Sequence, residues 1–282
     1  MGSGFLTEKG VRSSVTPPDR QFARRLVPFI SLCLFALTAV ASASQAAGDS
    51  VDVATIIDKV DKLYRSETSY TQIEMTITNP NWERTVGVNM WTKGMDETFI
   101  SITAPKRDAG ITTLRKGREM WNYFPKIDKL MKVPPSMMMG SWMGSDFTND
   151  DLVKESTFHD DYESRLIPPS ERTIEPDASQ TYAIELIPKE KTATVWGRIV
   201  LVVRRHDFIP LREAYYDERG RMMRRMDFFD VAELGGRPIP TRIELVPLNK
   251  EGHRTTIRYV AAEFEVEHDS QVFTQRNMRR LR

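Results

Sequence analysis

The sequence predicts a mainly β fold with a few helices (α+β class), built on a single antiparallel sheet. Short segments in which apolar and polar residues alternate recur along most of the chain. Turn residues separate these segments at intervals of about 8–12 residues, a spacing typical of antiparallel meanders. One amphipathic helix precedes the strands, and helices do not alternate with them, which argues against βαβ units.

Residues 52–65 form the clearest predicted helix. Asp52 is suited to the N-cap position, and the charged residues fall on the opposite side from the apolar ones. The apolar face, with helical spacing, consists of Val53, Ile56, Ile57, Val60, Leu63 and Tyr64. We therefore expect this helix to pack on a larger element.

Strands are predicted where the apolar period changes from 3.6 residues to 2. They span residues 70–78, 83–92, 97–104, 181–187, 197–204, 209–216, 221–230, 239–247 and 254–262, with a further hairpin around Pro125 and Lys126. A sheet of about ten strands must curl or close on itself. Since no linker rich in Pro or Ser interrupts residues 48–282, we expect them to form a single domain.

Some strands carry apolar residues on both faces. Residues 199–203 read IVLVV, and residues 222–229 contain three methionines and two phenylalanines. Burial on both sides requires that something covers each face of the sheet. The predicted helix can cover one face, and either a second helical segment or a ligand covers the other.

The N-terminal region has the pattern of a secretory signal peptide. Residues 26–40 are uncharged and apolar, three arginines precede them at 20–25, and Ala41, Ser42 and Ala43 follow. The apolar stretch is shorter than the roughly 20 residues that span a bilayer. We expect residues 1–43 to be removed, with cleavage as late as residue 47; an uncleaved anchor is the alternative. Removal would also remove Cys33, the single cysteine.

Composition excludes several classes of function. A mean hydropathy of −0.42 excludes a polytopic membrane protein, and a formal charge of +1 gives no footprint for nucleic acid. The arginine pairs at 204–205 and 224–225 are predicted to be surface charges of the sheet, with the rim of a cavity as the alternative.

Motifs for catalysis are also missing from the sequence. Ser141 stands one position early for a G-x-S-x-G nucleophile motif, and no glycine-rich phosphate loop occurs. No pair among the histidines has metal-ligand spacing; they are His159, His206, His253 and His268. We expect no enzymatic activity, no metal and no cofactor.

Residues 105–153 hold the densest functional signal. Five of the 14 methionines lie within residues 131–143, close to Trp142 and two glycines. Methionine fills irregular gaps in cores, but a flexible methionine-rich segment also suits a flap that packs around variable apolar ligands. Downstream, Thr148 is predicted to be the N-cap of a helical turn, with Asp151 at its third position.

The same region carries a family resemblance. The residues concerned are Pro105 and Lys106 with Gly110, then WNYFP (121–125), then MGSDF (143–147) followed by Asp150, Asp151 and Leu152. With them, the sequence resembles the periplasmic outer membrane lipoprotein-sorting protein family of the LolA-like superfamily. This resemblance implies a LolA/LolB-like incomplete β-barrel: a strongly curved antiparallel sheet with helices that plug its concave face. It also implies an apolar cavity for acyl chains and a periplasmic location after export.

The resulting functional expectation is a periplasmic carrier that hands a lipid or lipoprotein on toward the outer membrane. The alternative is a lipid-sensing or accessory subunit of an RND/MMPL-type exporter that does not transport. Expected partners are acyl chains, an inner-membrane transporter of that type and an outer-membrane acceptor, with the protein itself a monomer. The predicted ligand-binding residues are Trp121, Tyr123, Phe124, Met131, Met137, Met138, Met139, Trp142, Met143 and Phe147.

Overall fold

A computed structural model describes residues 51–154, 158–172, 177–192 and 194–280. The predicted signal peptide, with its cleavage site and Cys33, lies outside the described residues. Within them, no helix is both long and apolar enough to cross a bilayer.

One antiparallel sheet of thirteen strands dominates the described residues. The strands are β1 (Thr68–Asn79), β2 (Trp82–Lys93), β3 (Glu97–Ala104), β4 (Thr112–Lys116), β5 (Glu119–Phe124), β6 (Lys129–Lys132), β7 (Tyr162–Leu166), β8 (Thr181–Pro188), β9 (Arg198–Arg204), β10 (Pro210–Tyr216), β11 (Met222–Leu234), β12 (Arg237–Pro247) and β13 (Arg254–Phe264). Their order in the sheet is β6-β5-β4-β3-β2-β1-β13-β12-β11-β10-β9-β8-β7. The sheet is open, with β6 and β7 at its two edges.

The predicted strands are confirmed, but their number was underestimated. The nine separate predictions correspond to β1–β3 and β8–β13, and the hairpin around Pro125 corresponds to β5 and β6. Strands β4 and β7 have no separate prediction; β7 was missed because its sequence, YESRL, is largely exposed and lacks apolar alternation. It needs only one neighbour, β8, because it lies at the edge.

The sheet curls around a single core. Inward side chains from eleven of its strands belong to one apolar cluster, together with Ile56 and Ile57. Strands lie about 4.8 Å apart, so a flat sheet of this size would be far too wide for one cluster. The ends of the sheet also approach each other, since Arg118, between β4 and β5, bonds Asp161, directly before β7, at 2.8 Å.

The helices in the described ranges are α1 (Val53–Asp61), α2 (Asn149–Lys154), α3 (Phe158–Asp161) and α4 (Gln275–Met278). Side chains from α1, α2 and α3 pack against the concave core, as predicted for this fold. Asp52 caps α1 by accepting the Ala54 N–H at 3.2 Å. Helix α1 ends before residue 65, but Tyr64 still reaches the core, where its ring stacks on Tyr259 at 4.6 Å.

Chain segments cover parts of the outer face as well. Phe273 and Met278, near the C-terminus, pack on β3, β4 and β5, and Ile167 packs beside Val200 and Val202 of β9. Burial on both faces of the IVLVV strand therefore comes from the chain itself.

The hairpin between β11 and β12 allows a matched test of backbone sterics. Gly235 and Gly236 form its two-residue turn with φ of 62° and 77°. A Cβ on Gly235 would lie 2.7 Å from the Ala262 carbonyl oxygen, whereas one on Gly236 would meet nothing within 4 Å.

We expect Gly236→Ala to lower the free energy of unfolding by about 1–2 kcal/mol, the cost of left-handed backbone at alanine. Gly235→Ala should cost at least about 1 kcal/mol more, since it adds a steric clash. Urea denaturation of both variants measures this difference. Equal losses would show that the turn can move away from β13 without cost.

Candidate functional site

The concave face of the sheet, together with its helices, encloses three neighbouring cavities that we call the hollow. The central cavity, about 70 Å³, has an almost wholly apolar lining that includes Ile73, Met75 and Ile257. The helix-side cavity, about 60 Å³, lies against α1. The arginine-side cavity, about 30 Å³, lies against Arg224.

Neighbouring cavities share lining side chains. Met90, Leu152 and Tyr259 line both the central and the helix-side cavity, and Phe147 and Met226 line both the central and the arginine-side cavity. Small-molecule pockets occupy roughly 300–1,000 Å³, so each cavity is too small for a ligand of that class. Among these shared residues of the central cavity, Leu152 is the one that belongs to a helix, α2.

We call residues 137–154 the central segment. Phe147 belongs to a short hairpin within this segment. The Trp142 N–H donates to the Phe147 carbonyl at 2.8 Å, and the Ser145 N–H closes the turn on Trp142 at 2.9 Å. Met143 and Gly144 at the tip have φ of 54° and 77°, as a tight two-residue turn requires. This geometry places the side chains of Trp142 and Phe147 in the core.

The hairpin is anchored to the sheet on two sides. Trp142 Nε1 donates to Thr113 Oγ1 on β4 at 3.2 Å. On β13, Thr255 Oγ1 accepts the Asp146 N–H at 3.0 Å and donates to the Asp146 carboxylate at 2.8 Å. The hairpin is thus a fixed part of the wall.

Helix α2 follows the hairpin directly, and the predicted cap is confirmed. The Thr148 N–H donates to Asp151 Oδ2 at 2.7 Å, while the Asp151 N–H donates to Thr148 Oγ1 at 3.1 Å. The N–H groups of Asn149 and Asp150 bond the carbonyls of Gly140 and Met138. The helix is therefore tied to the methionine-rich loop before the hairpin.

An ion pair connects α2 to the sheet. Arg224 of β11, 5% exposed, donates from Nη1 to Asp151 Oδ2 at 2.8 Å and from Nη2 to Oδ1 at 2.5 Å. The guanidinium lies over the rings of Trp196 and Tyr215, at 4.6 and 4.1 Å from their centres. Its Nε–H is buried and has no hydrogen-bond acceptor in the part of the chain that the structure describes.

The electrostatics favour the charged pair. Burial alone would raise the pKa of Asp151, but the charge and hydrogen bonds of Arg224, with those of Thr148, lower this pKa below its usual value. Burial, followed by the charge of Glu213, raises the pKa of Tyr215 well above its usual value. The Tyr215 hydroxyl donates to Glu213 at 2.6 Å, so the tyrosine is neutral.

The structure separates the ten predicted ligand-binding residues. Trp142 and Phe147 line the central cavity, and Met143 packs against the same core. Met138 and Phe124 are half-buried, outside the residues that line the hollow. Three methionines are exposed: Met131, Met137 and Met139.

Trp121 and Tyr123 belong to the cluster on the outer face, with Phe99 and Leu114. Strand alternation explains this position, because Met120 of the same strand β5 points into the concave core. Ligand contact by all ten residues stays a prediction, although Trp142 and Phe147 line the central cavity. The methionine-rich loop carries α2 rather than lining the cavities.

Sequence reasoning missed the ion pair. Arg224 and Arg225 were predicted to be surface charges, with the rim of a cavity as the alternative. The first reading is wrong for Arg224, which is buried and lines the arginine-side cavity. Arg225 does point outward, toward Asp227 at 2.9 Å. The signal was present, since Arg224 shares the two-residue period of the inward-facing Met226 and Phe228.

Among the described residues, no group of three or more His, Cys, Asp or Glu side chains is placed to hold a metal. The side chains of His159 and His206 are 71% and 70% exposed.

The ion pair predicts a pH-dependent stability. Asp151→Asn should lower the free energy of unfolding at pH 7 by about 3 kcal/mol, since it leaves the buried Arg224 uncompensated. The pKa of Asp151 is lower in the folded than in the unfolded state. Its contribution is therefore present above the unfolded pKa and is lost as the pH falls through the folded one.

The difference between wild type and variant should consequently shrink below about pH 4. Urea denaturation between pH 7 and pH 3 measures it. Asp58→Asn is the control, because Asp58 and Lys62 form an exposed pair at 2.6 Å and should contribute less than about 1 kcal/mol. Equal effects of the two substitutions at pH 7 would mean that the buried pair adds nothing.

Comparison with known proteins identifies the fold. Solved structures that resemble this chain include the following three. A DUF1329 family protein from Desulfovibrio piger is 22% identical, with a TM-score of 0.68 over 79% of this chain and 96% of that one. A LolA superfamily protein from Nitrosomonas europaea is 19% identical, with a TM-score of 0.66 over 81% and 100%. A domain named as an outer membrane lipoprotein-sorting protein, from Vibrio parahaemolyticus, is 16% identical, with a TM-score of 0.65 over 79% and 97%.

These likenesses confirm the predicted LolA-like fold. No curated protein matches the chain. A family model described only as an uncharacterized protein matches residues 94–280, more than half of the sequence. The chain therefore belongs to that uncharacterized family, and it has the fold of the LolA superfamily.

Proposed function

We propose that this protein is a periplasmic carrier that binds the acyl chains of a lipid or lipoprotein in the hollow and hands them on toward the outer membrane. The observation that carries the proposal is the apolar concave face, whose neighbouring cavities share lining side chains, among them Leu152 and Phe147 of the central segment. The outer membrane lipoprotein-sorting name of one structural neighbour supports it.

The physical requirement is a binding surface that can be both covered and uncovered. Each buried methylene contributes about 0.8 kcal/mol, so a long acyl chain does not leave a membrane unaided at a useful rate. The inward side chains of the sheet supply a continuous apolar surface for such a chain. They include Ile73, Met75, Val88, Ile100, Ile243 and Ile257.

We further propose that α2 moves while the hairpin before it stays. The hairpin has hydrogen bonds to both β4 and β13. Helix α2 has only six residues, and its links to the sheet include Leu152 and the Asp151–Arg224 pair. Withdrawal of α2 would join the central and helix-side cavities. The role is one of binding and release, without catalysis, in a protein exported through its N-terminal signal peptide.

The exposed methionines offer a contact surface for the proposed partner proteins. Met137 and Met139 are 59% and 38% exposed, and the carbonyls of Met137 and Met138 bond α2 through Asn149 and Asp150. A transporter of the RND/MMPL type, or an outer-membrane acceptor, that contacts this loop would pull directly on the helix.

The same connection favours one alternative, a lipid-sensing or accessory subunit of such an exporter. In that role, ligand in the hollow would alter the methionine surface instead of being delivered. Retention of ligand in the presence of acceptor vesicles, together with capture of an inner-membrane transporter, would favour this alternative over a carrier.

Filling the central cavity tests the binding site. Ile257→Trp on β13 places a large side chain in the cavity, and Val260→Trp is the control, because Val260 on the same strand is 53% exposed. We expect the first variant to bind the neutral fluorophore N-phenyl-1-naphthylamine at least about tenfold more weakly, a loss of roughly 1.4 kcal/mol of apolar contact. The control should bind like the wild type.

Native mass spectrometry of protein purified from membranes should show lipid on the wild type and the control, but not on Ile257→Trp. Circular dichroism checks that both variants are folded, since overpacking costs only about 1–3 kcal/mol. A wild type that is repeatedly empty and does not bind the fluorophore would overturn the proposed function.

Hydrogen exchange tests the movement of α2. Addition of palmitate should speed amide exchange in residues 149–154, because the chain displaces Leu152 and the helix loses its packing. Exchange in β9 should not change, since its residues 199–203 are buried on both faces. Slower exchange in α2 would mean that the ligand binds beneath an undisturbed helix.

A further inference from the structure

Binding of acyl chains alone does not explain the charged side chain in the wall of the arginine-side cavity. This wall contains a permanent positive charge, Arg224, among mainly apolar and aromatic side chains. We propose that Arg224 receives an anionic headgroup, a carboxylate or a phosphate, of the ligand whose chain occupies the central cavity. This inference rests on the proposed function and names the class of its ligand: an amphiphile with one apolar chain and one anionic end.

The buried charge of Arg224 requires compensation by an anionic partner. Arg224 is 5% exposed, and its guanidinium keeps its proton at any physiological pH. Both oxygens of Asp151 neutralise it, and Asp151 belongs to α2. When α2 withdraws, Arg224 loses this partner, and a buried unpaired charge is strongly unfavourable. An anionic headgroup that arrives with the ligand replaces the lost carboxylate.

Arg224 also has a hydrogen-bond donor, its Nε–H, that the Asp151 carboxylate does not use. The Asp151 carboxylate engages Nη1 and Nη2, while the buried Nε–H lacks an acceptor among the described residues. Buried polar groups in proteins are nearly always satisfied. A carboxylate or phosphate could bond Nε and Nη2 side by side, in the bidentate geometry that guanidinium groups favour. The cation would remain held between Trp196 and Tyr215.

The remaining charges agree with an anionic ligand. Asp150 also lines the arginine-side cavity, and it lies on α2 beside Asp151, so both carboxylates leave together. Glu213 stays on the sheet, where it accepts the Tyr215 hydroxyl at 2.6 Å. Opening therefore removes the Asp151 carboxylate that bonds Arg224, and Asp150 with it, while Glu213 remains on the sheet. The arginine-side cavity adjoins the central cavity at Phe147 and Met226, so one ligand can reach both.

A series of ligands with the same hexadecyl chain and different ends tests the inference. Displacement of N-phenyl-1-naphthylamine is measured for palmitate, hexadecyl phosphate, hexadecanol and hexadecyltrimethylammonium. Each is measured with the wild type, Arg224→Met and Arg224→Lys. We expect palmitate or hexadecyl phosphate to bind the wild type at least about tenfold more tightly than hexadecanol, with the ammonium compound weakest. The tighter of the two anions identifies a fatty-acid or a phosphate headgroup.

The variants show where the preference arises. Arg224→Met should bind hexadecanol and palmitate equally, because it keeps the apolar stem but lacks the charge. Arg224→Lys keeps the charge without the planar donor fork and should retain part of the preference. The wild-type series decides the matter even if a variant does not fold. Equal binding of hexadecanol and both anions by the wild type would overturn the inference but leave the carrier function intact, whereas no binding of any ligand would refute the carrier function itself.

Discussion

The apolar character of one continuous face governs this fold. Thirteen strands in one open sheet present inward side chains that must leave water, and a flat sheet has no partner wide enough to cover them. Curling lets much of the face cover itself, and the pair between Arg118 and Asp161 links the two ends. The middle of the concave face remains, and only helices or a ligand can fill it.

The segments that fill the middle of the concave face differ in how firmly they are held against the sheet. Helix α1 contributes Ile56 and Ile57, which are almost completely buried. The hairpin contributes Trp142 and Phe147 and is hydrogen-bonded to two strands. Helix α2 has only six residues and contributes Leu152 and the Asp151–Arg224 ion pair. Elements of low local stability are the ones that move when ligands bind.

The sequence predicted the strands well because half-burial produces a period that can be read directly. It also predicted the Thr148 cap. Strand phase, which the sequence analysis did not use for Trp121 and Tyr123, places them on the opposite face from Met120. The position of the methionines depends on something else: composition shows that a segment is adaptable, but whether Met137 or Leu152 faces the hollow depends on tertiary hydrogen bonds that no local pattern reveals.

An ion pair between α2 and the sheet suits reversible opening of the hollow better than apolar packing of the helix would. If Leu or Met replaced both Arg224 and Asp151, α2 would pack at no cost of charge desolvation, and such replacements often stabilise a closed state. The hollow would then favour its own helix over any ligand. With the ion pair, closure requires one specific partner, and opening leaves a charged site that only a matching ligand satisfies. The pair thus makes closure conditional on what the hollow contains, which uniform apolar packing cannot do.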